Sequence, residues 1–161
     1  MPHRIRFADI RLEPRLAPAF VAGITRDLNL QGVGSGPTSI ADVNGIAYFA
    51  AADPINAGNM FAGGELWRSN GNSSGTVLVR DIRPGIDGSG TTLLTHVGGV
   101  LFFVANDGVA GSELWKSDGT SAGTMLVKDI LAGASTSNSV QLTNIGGVLY
   151  FVATDGASGS E

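Results

Sequence analysis

The chain has 161 residues, of which 24 are Gly and none is Cys, and only 15% are charged, against roughly 7% Gly and about 25% charged residues in an average protein. With 43% hydrophobic residues and a net charge of −4, this composition excludes a disulfide scaffold, a cysteine-ligated metal and a highly charged disordered chain, and argues against nucleic acid as a partner. The longest nearly apolar stretch, residues 97–105, is far short of the roughly 20 residues a membrane helix needs, so no membrane span is expected.

Residues 1–33 form a non-repeating N-terminal segment. His3, Arg4, Arg6, Arg11 and Arg15 precede a short apolar stretch, 16–24. Basic followed by apolar is the order of an export signal, although Pro18 interrupts the apolar part. The alternative is a disordered or docking N-terminus.

From residue 34 the chain repeats. Glu65-Leu66-Trp67 recurs 48 residues later as Glu113-Leu114-Trp115, and Gly111-Ser112-Glu113 recurs after another 48 as Gly159-Ser160-Glu161. Residues 65–82 and 113–130 share 12 of 18 positions, and 88–113 and 136–161 share 15 of 26. The period divides the chain into a first, divergent repeat over 34–82, with six extra residues between Asp53 and Glu65, a second over 83–130 and a partial third over 131–161.

Each period reads as four short strands, in the best copy 93–97, 100–106, 113–117 and 124–130. Gly98-Gly99 between the first two is a two-residue hairpin signal. Asp107-Gly108 and Ser117-Asp118-Gly119-Thr120 open the next two turns, and the polar segment 83–91 is a longer crossover. Three tight hairpins and one crossover per unit is the connectivity of a propeller blade. Val100, Phe102 and Val104 alternate with Leu101, Phe103 and Ala105, so this strand is apolar on both faces and needs cover on both. The fold expected is all-β, with propeller-type four-stranded antiparallel blades and an incomplete ring of about two and a half blades. A β-sandwich is the alternative, although most of its strands would carry one polar face.

Glu113-Leu114-Trp115-Lys116-Ser117-Asp118-Gly119-Thr120, followed by Gly123-Thr124 and Leu126-Val127-Lys128-Asp129-Ile130, resembles the ELWxxDGT repeat of large bacterial surface and secreted proteins. The first copy departs from that pattern with Asn70-Gly71-Asn72, a pair that suits the same turn. Leu12-Glu13-Pro14-Arg15 resembles a header near the start of some such proteins. The resemblance implies a secreted or surface-attached repeat protein with an extracellular location. Its expected role is non-enzymatic, structural or adhesion-like, with a glycan or a surface protein as partner.

Chemistry-bearing motifs are sparse. Gly32, Gly34 and Gly36 precede Pro37 and strand-like sequence rather than a phosphate-binding helix. His96 occupies a strand position held by Asn144 in the next copy, and His3 is the only other histidine, so no zinc site is expected. Asp107, Asp118, Asp129 and Asp155, with Asp87, could suggest calcium, but one Asp beside Gly is what a turn alone requires. Arg80 and Arg83 with Tyr48 or Tyr150 are the residue types of a sialidase-like site, though nothing in the sequence assembles them. Trp67 and Trp115 read as packing between blades, with a sugar-stacking face as the alternative. No catalytic, cofactor-binding or metal residue is therefore assigned. The alternatives kept are a fragment of a propeller glycosidase or lyase and a calcium-stabilised scaffold. If the chain stands alone, its open strand edge is expected to drive self-association.

Overall fold

The computed structural model describes residues 35–52, 64–85 and 87–161. The N-terminal segment and the extra residues between Asp53 and Glu65 lie outside them. The described residues form ten strands and no helix: β1 (Thr38–Val43), β2 (Ile46–Ala51), β3 (Glu65–Ser69), β4 (Val77–Arg80), β5 (Thr92–Val97), β6 (Val100–Asn106), β7 (Ser112–Ser117), β8 (Met125–Lys128), β9 (Val140–Ile145) and β10 (Val148–Val152). They assemble into three antiparallel sheets, β1-β2-β3-β4, β5-β6-β7-β8 and the pair β9-β10, with no closed barrel. No helix long and apolar enough to cross a membrane is present among the described residues.

The sheets follow the 48-residue period down to the register. Phe49 pairs with Trp67 and Trp67 with Leu78, as Phe103 pairs with Trp115 and Trp115 with Leu126. Only the first hairpin of each unit is tight. Asn44-Gly45, Gly98-Gly99 and Gly146-Gly147 all take positive φ at both positions, the backbone that a two-residue turn between twisted strands requires. The next two connections span 107–111 and 118–124, so the second and third hairpins are not the tight turns expected. Strand β8 also stops at Lys128 rather than at 130, because the N–H of Ile130 leaves the ladder to bond the Glu113 carboxylate at 3.2 Å.

A bulge recurs in the first strand of each unit, where Ser39, Leu93 and Gln141 have φ of 52°, 55° and 55° and the pairing register shifts. A non-glycine residue there costs roughly 1–2 kcal/mol, so the bend it gives the strand is held by its surroundings.

Sheets stack face to face. Val43, Tyr48, Leu66, Val79 and Ile82 of the first sheet unit meet Leu101, Phe103, Ala105 and Trp115 of the second, all under 9% exposed. Each fully buried apolar side chain here contributes about 1.5–3 kcal/mol. As the alternation in the sequence required, Leu101, Phe103 and Ala105 share one face of β6. The first strands of successive units lie side by side, β1 against β5 and β5 against β9. Thr95 Oγ1 donates to the Leu142 carbonyl at 3.3 Å, and Asn144 Nδ2 donates to the His96 carbonyl at 2.8 Å across the second of these contacts.

Candidate functional site

Antiparallel order places the connections of each unit at two opposite ends. One end carries the two-residue hairpins and the turns 70–76 and 118–124. The other carries the turn 107–111, its counterpart at 155–159, and the crossovers 81–91 and 129–139.

The hairpin end uses its polar groups internally. Asp118 Oδ1 accepts the N–H of Thr120 at 2.8 Å and its hydroxyl at 2.7 Å, and Thr120 Oγ1 in turn accepts the N–H of Gly123 at 2.9 Å. Thr124 Oγ1 donates to the Thr120 carbonyl at 2.7 Å and lies 2.7 Å from Ser117 Oγ. The bonds from Thr120, its hydroxyl first and then its N–H, hold the Asp118 carboxyl below the usual carboxylate range. In the divergent first copy Asn70 and Asn72 do the same work: Asn72 Oδ1 accepts the N–H of Gly75 at 2.7 Å, and Ser69 Oγ pairs with Thr76 Oγ1 at 2.7 Å. The turn packs closely on its neighbour as well. Gly119 has φ +89°, and a Cβ there would lie 2.1 Å from Tyr48 Oη, so backbone conformation and space both require glycine.

His96 has a defined role at this end. Its Nε2 accepts the N–H of Gly99 at 3.0 Å, closing the hairpin. Asp42 Oδ1 accepts from Gly45 at 2.8 Å, and Asn144 Oδ1 accepts from Gly147 at 3.0 Å, at the same repeat position. An acid, an imidazole and an amide thus perform one task.

The glutamate of Glu-Leu-Trp is the residue that sequence reasoning missed. Glu65 and Glu113 are 1% and 0% exposed. Glu113 accepts the N–H of Ile130 at 3.2 Å on one oxygen and that of Ser137 at 2.9 Å on the other. Glu65 accepts the N–H of Ile82 at 3.0 Å. Burial pushes the Glu65 carboxyl up, opposed chiefly by the bond from the Ile82 N–H. Each carboxylate therefore ties the third strand of one sheet to the crossover that leads into the next. Ser89 and Ser137 tighten the same joint, Ser89 Oγ donating to the Gly64 carbonyl and Ser137 Oγ to that of Ser112. The signal available in the sequence was an acidic residue fixed beside Leu-Trp inside a strand, where a solvated charge has no place.

The crossover end is more open and differs between copies. Arg83 pairs with Asp87 at 2.9 Å, both at least partly exposed, and Val109 is 74% exposed at the tip of its turn. Asp107 Oδ1 accepts the N–H groups of Val109 and Ala110, and Asp155 Oδ1 those of Ala157 and Ser158, each at 2.8 Å. The bonds from Ser158 and Ala157 keep the Asp155 carboxyl low. Copy two has Arg-Pro-Gly-Ile-Asp-Gly in its crossover where copy three has Leu-Ala-Gly-Ala-Ser-Thr.

The remaining expected residues are dispersed. Arg80 donates to the Thr124 carbonyl and lies 5.9 Å over the Trp115 ring, a cation–π contact. Tyr48 is buried on the first sheet and Tyr150 is 56% exposed on the third, so the two tyrosines occupy separate sites. Trp115, 4% exposed, packs between the first and second sheets, whereas Trp67, also 4% exposed, packs with Phe49, Ala51 and Leu78 of its own sheet. Asp129 Oδ2 accepts the N–H of Gly133 at 3.1 Å. No three acidic or histidine side chains come together as a metal site among the described residues. No protein-family model, curated protein or solved structure matches the chain.

Proposed function

We propose that this chain is a propeller-type repeat module of the ELWxxDGT kind, acting at the cell surface or outside the cell as a non-enzymatic binding and structural element. Its blades are the two four-stranded sheets and the β9-β10 pair. One observation carries this reading: a division of labour between the two ends. At the hairpin end and in the buried glutamates, the side chains that recur with the period satisfy the fold's own N–H groups. Variation is concentrated in the crossovers, around Arg83 and Asp87, with Val109 exposed in the turn beside them. A constant scaffold under variable, polar, exposed loops is the layout of a recognition surface. Backbone groups, hydroxyls and an Arg–Asp pair in shallow relief suit a glycan or a polar protein surface.

The test is a glycan array together with immobilised bacterial envelope polysaccharide, probed with the labelled full chain. Saturable binding is expected, and it should fall at least tenfold when 83–88 and 107–110 are replaced by Gly/Ser of equal length, about 1.4 kcal/mol. Absent binding, or equal binding by the replaced variant, overturns the reading.

A further inference from the structure

Three turns at the hairpin end place a side-chain carbonyl directly before a glycine: Asn44-Gly45, Asn70-Gly71 and Asp118-Gly119. In such a pair the glycine nitrogen, once it has lost its proton, can attack the side-chain carbonyl carbon of the preceding residue. Glycine has no Cβ to block that approach. Whether the attack succeeds depends on how firmly the proton is held and on what must leave the carbonyl. The three turns differ on both counts.

Two of them are protected. The N–H of Gly45 donates to Asp42 Oδ1 at 2.8 Å, and a carboxylate in contact keeps the proton there, because losing it would set two negative charges side by side. At Asp118 the acceptor is neutral, Ser117 Oγ taking the N–H of Gly119 at 3.0 Å, but the carboxyl is held low by the Thr120 bonds. It is therefore ionised at neutral pH and has no group that departs readily, and Gly119 is buried. Asn70 has neither protection. Its side chain is a neutral amide, and the N–H of Gly71 donates to the neutral Ser69 Oγ at 3.1 Å. Asn44 and Asn70 are both exposed, so access to solvent does not separate them.

We propose that Asn70 is a site of spontaneous deamidation in the folded protein, with water as co-reactant, and that the Asp42 carboxylate keeps Asn44 from being one. The Gly71 nitrogen gives its proton to solvent and bonds to Cγ of Asn70, closing a five-membered imide. The bond from Cγ to Nδ2 breaks, and the nitrogen takes a proton and leaves as ammonia. Water then opens the ring at either carbonyl. Cleavage between Cγ and the glycine nitrogen restores the main chain with an aspartate, and cleavage at the other carbonyl routes the main chain through the side chain as isoaspartate. The first product gives the divergent turn the Asp-Gly that the second copy carries, and the turn has the shape for it. Asn70 Oδ1 lies where a Cβ on Gly75 would be, as Asp118 Oδ1 does at Gly123. It accepts the N–H of Asn72 at 3.3 Å, where Asp118 Oδ1 accepts that of Thr120 at 2.8 Å, and a charged acceptor shortens such a bond. Isoaspartate adds an atom to the main chain and cannot close the same turn. The inference does not depend on the binding reading, which is tested by a separate assay.

The experiment incubates the full chain in mildly alkaline buffer at body temperature and follows amide-to-acid conversion at each asparagine by peptide mass mapping. Asn70 is expected to convert roughly tenfold faster than Asn44, although both precede glycine. In urea the two rates should converge, which assigns the difference to the fold. Asp42→Ala should raise the rate at Asn44 several-fold and leave Asn70 unchanged, with wild-type amide exchange in the second sheet showing that the variant is folded. Equal rates at the two sites in the folded chain, or no conversion at Asn70, overturns the proposal. So does a rate at Asn44 that Asp42→Ala does not change, since the carboxylate is then not what separates the two turns.

Discussion

The Tyr48 and Tyr150 side chains occupy one repeat position and live in different worlds. Tyr48 is 4% exposed, with its hydroxyl against Gly119 of the following sheet, whereas Tyr150 is 56% exposed on a two-stranded sheet. Their neighbours follow the same rule: Val43 is buried while its mate Ile145 is 59% exposed. The residue types hardly differ, so what separates the two regions is the presence of a following sheet. Stability in such an array resides in the contacts between units as much as within them.

The sharpest way to break this contrast is to remove the indole that closes the first junction. Trp115→Ala should cost about 3–5 kcal/mol in urea unfolding, the range for deleting a buried large aromatic side chain. Tyr150→Ala, at the open junction, should stay within about 1 kcal/mol. Similar costs for the two would mean that the junctions are equivalent after all.

The buried carboxylates come next. Glu113→Ala strands the N–H groups of Ile130 and Ser137 and should lower stability by about 2–5 kcal/mol, measured by the same unfolding curves. A loss below 1 kcal/mol, about the value of one ordinary hydrogen bond, would show that water replaces the carboxylate and that the joint is slack.

A smaller effect is expected from Gly119→Ala, which forces Tyr48 to move and places a side chain at positive φ. A cost of about 1–3 kcal/mol should appear as a lower melting temperature. Gly71→Ala, at φ +88° with open space around it, isolates the conformational part and should cost less. Equal losses would assign the whole effect to backbone strain and none to the sheet contact.

The smallest effect is a pH dependence. The folded carboxyl of Glu65 is raised above its ordinary 4.5, so the folded state holds the proton more tightly than the unfolded one. Its contribution is fully present below 4.5 and is lost as pH rises through the raised folded value. Asp118 and Asp155 act in the opposite sense: both are lowered from 3.8, and their contribution is lost as pH falls below that value. Melting temperature should therefore drop slightly on the neutral side, and Glu65→Gln should flatten that limb. A wild-type limb that rises with pH, or one that Glu65→Gln leaves unchanged, contradicts this.

Much of the architecture was legible because the period is exact enough to align residues by eye. Gly98-Gly99 marked its turn, and the Phe102/Phe103 alternation marked two covered faces. Other features escape that kind of reading for physical reasons. Asp42, His96 and Asn144 share no identity, yet each supplies an acceptor to the same N–H. Ser39, Leu93 and Gln141 adopt a left-handed conformation that no glycine announces. The buried glutamate was visible as part of a motif but not as a ligand for backbone, because its partners lie 17 and 24 residues away across a crossover.

That glutamate also sets a boundary between two kinds of unit. The sequence repeats every 48 residues, but Glu113 grips one N–H at the end of its own repeat, that of Ile130, and one in the next, that of Ser137. A cut after Ile130, at the boundary of the second repeat, leaves Glu113 its bond from Ile130 but parts it from Ser137. The unit that repeats in the sequence is thus shorter than the unit whose bonds are complete, and a single copy 83–130 would keep only one of the two N–H groups that its buried glutamate holds.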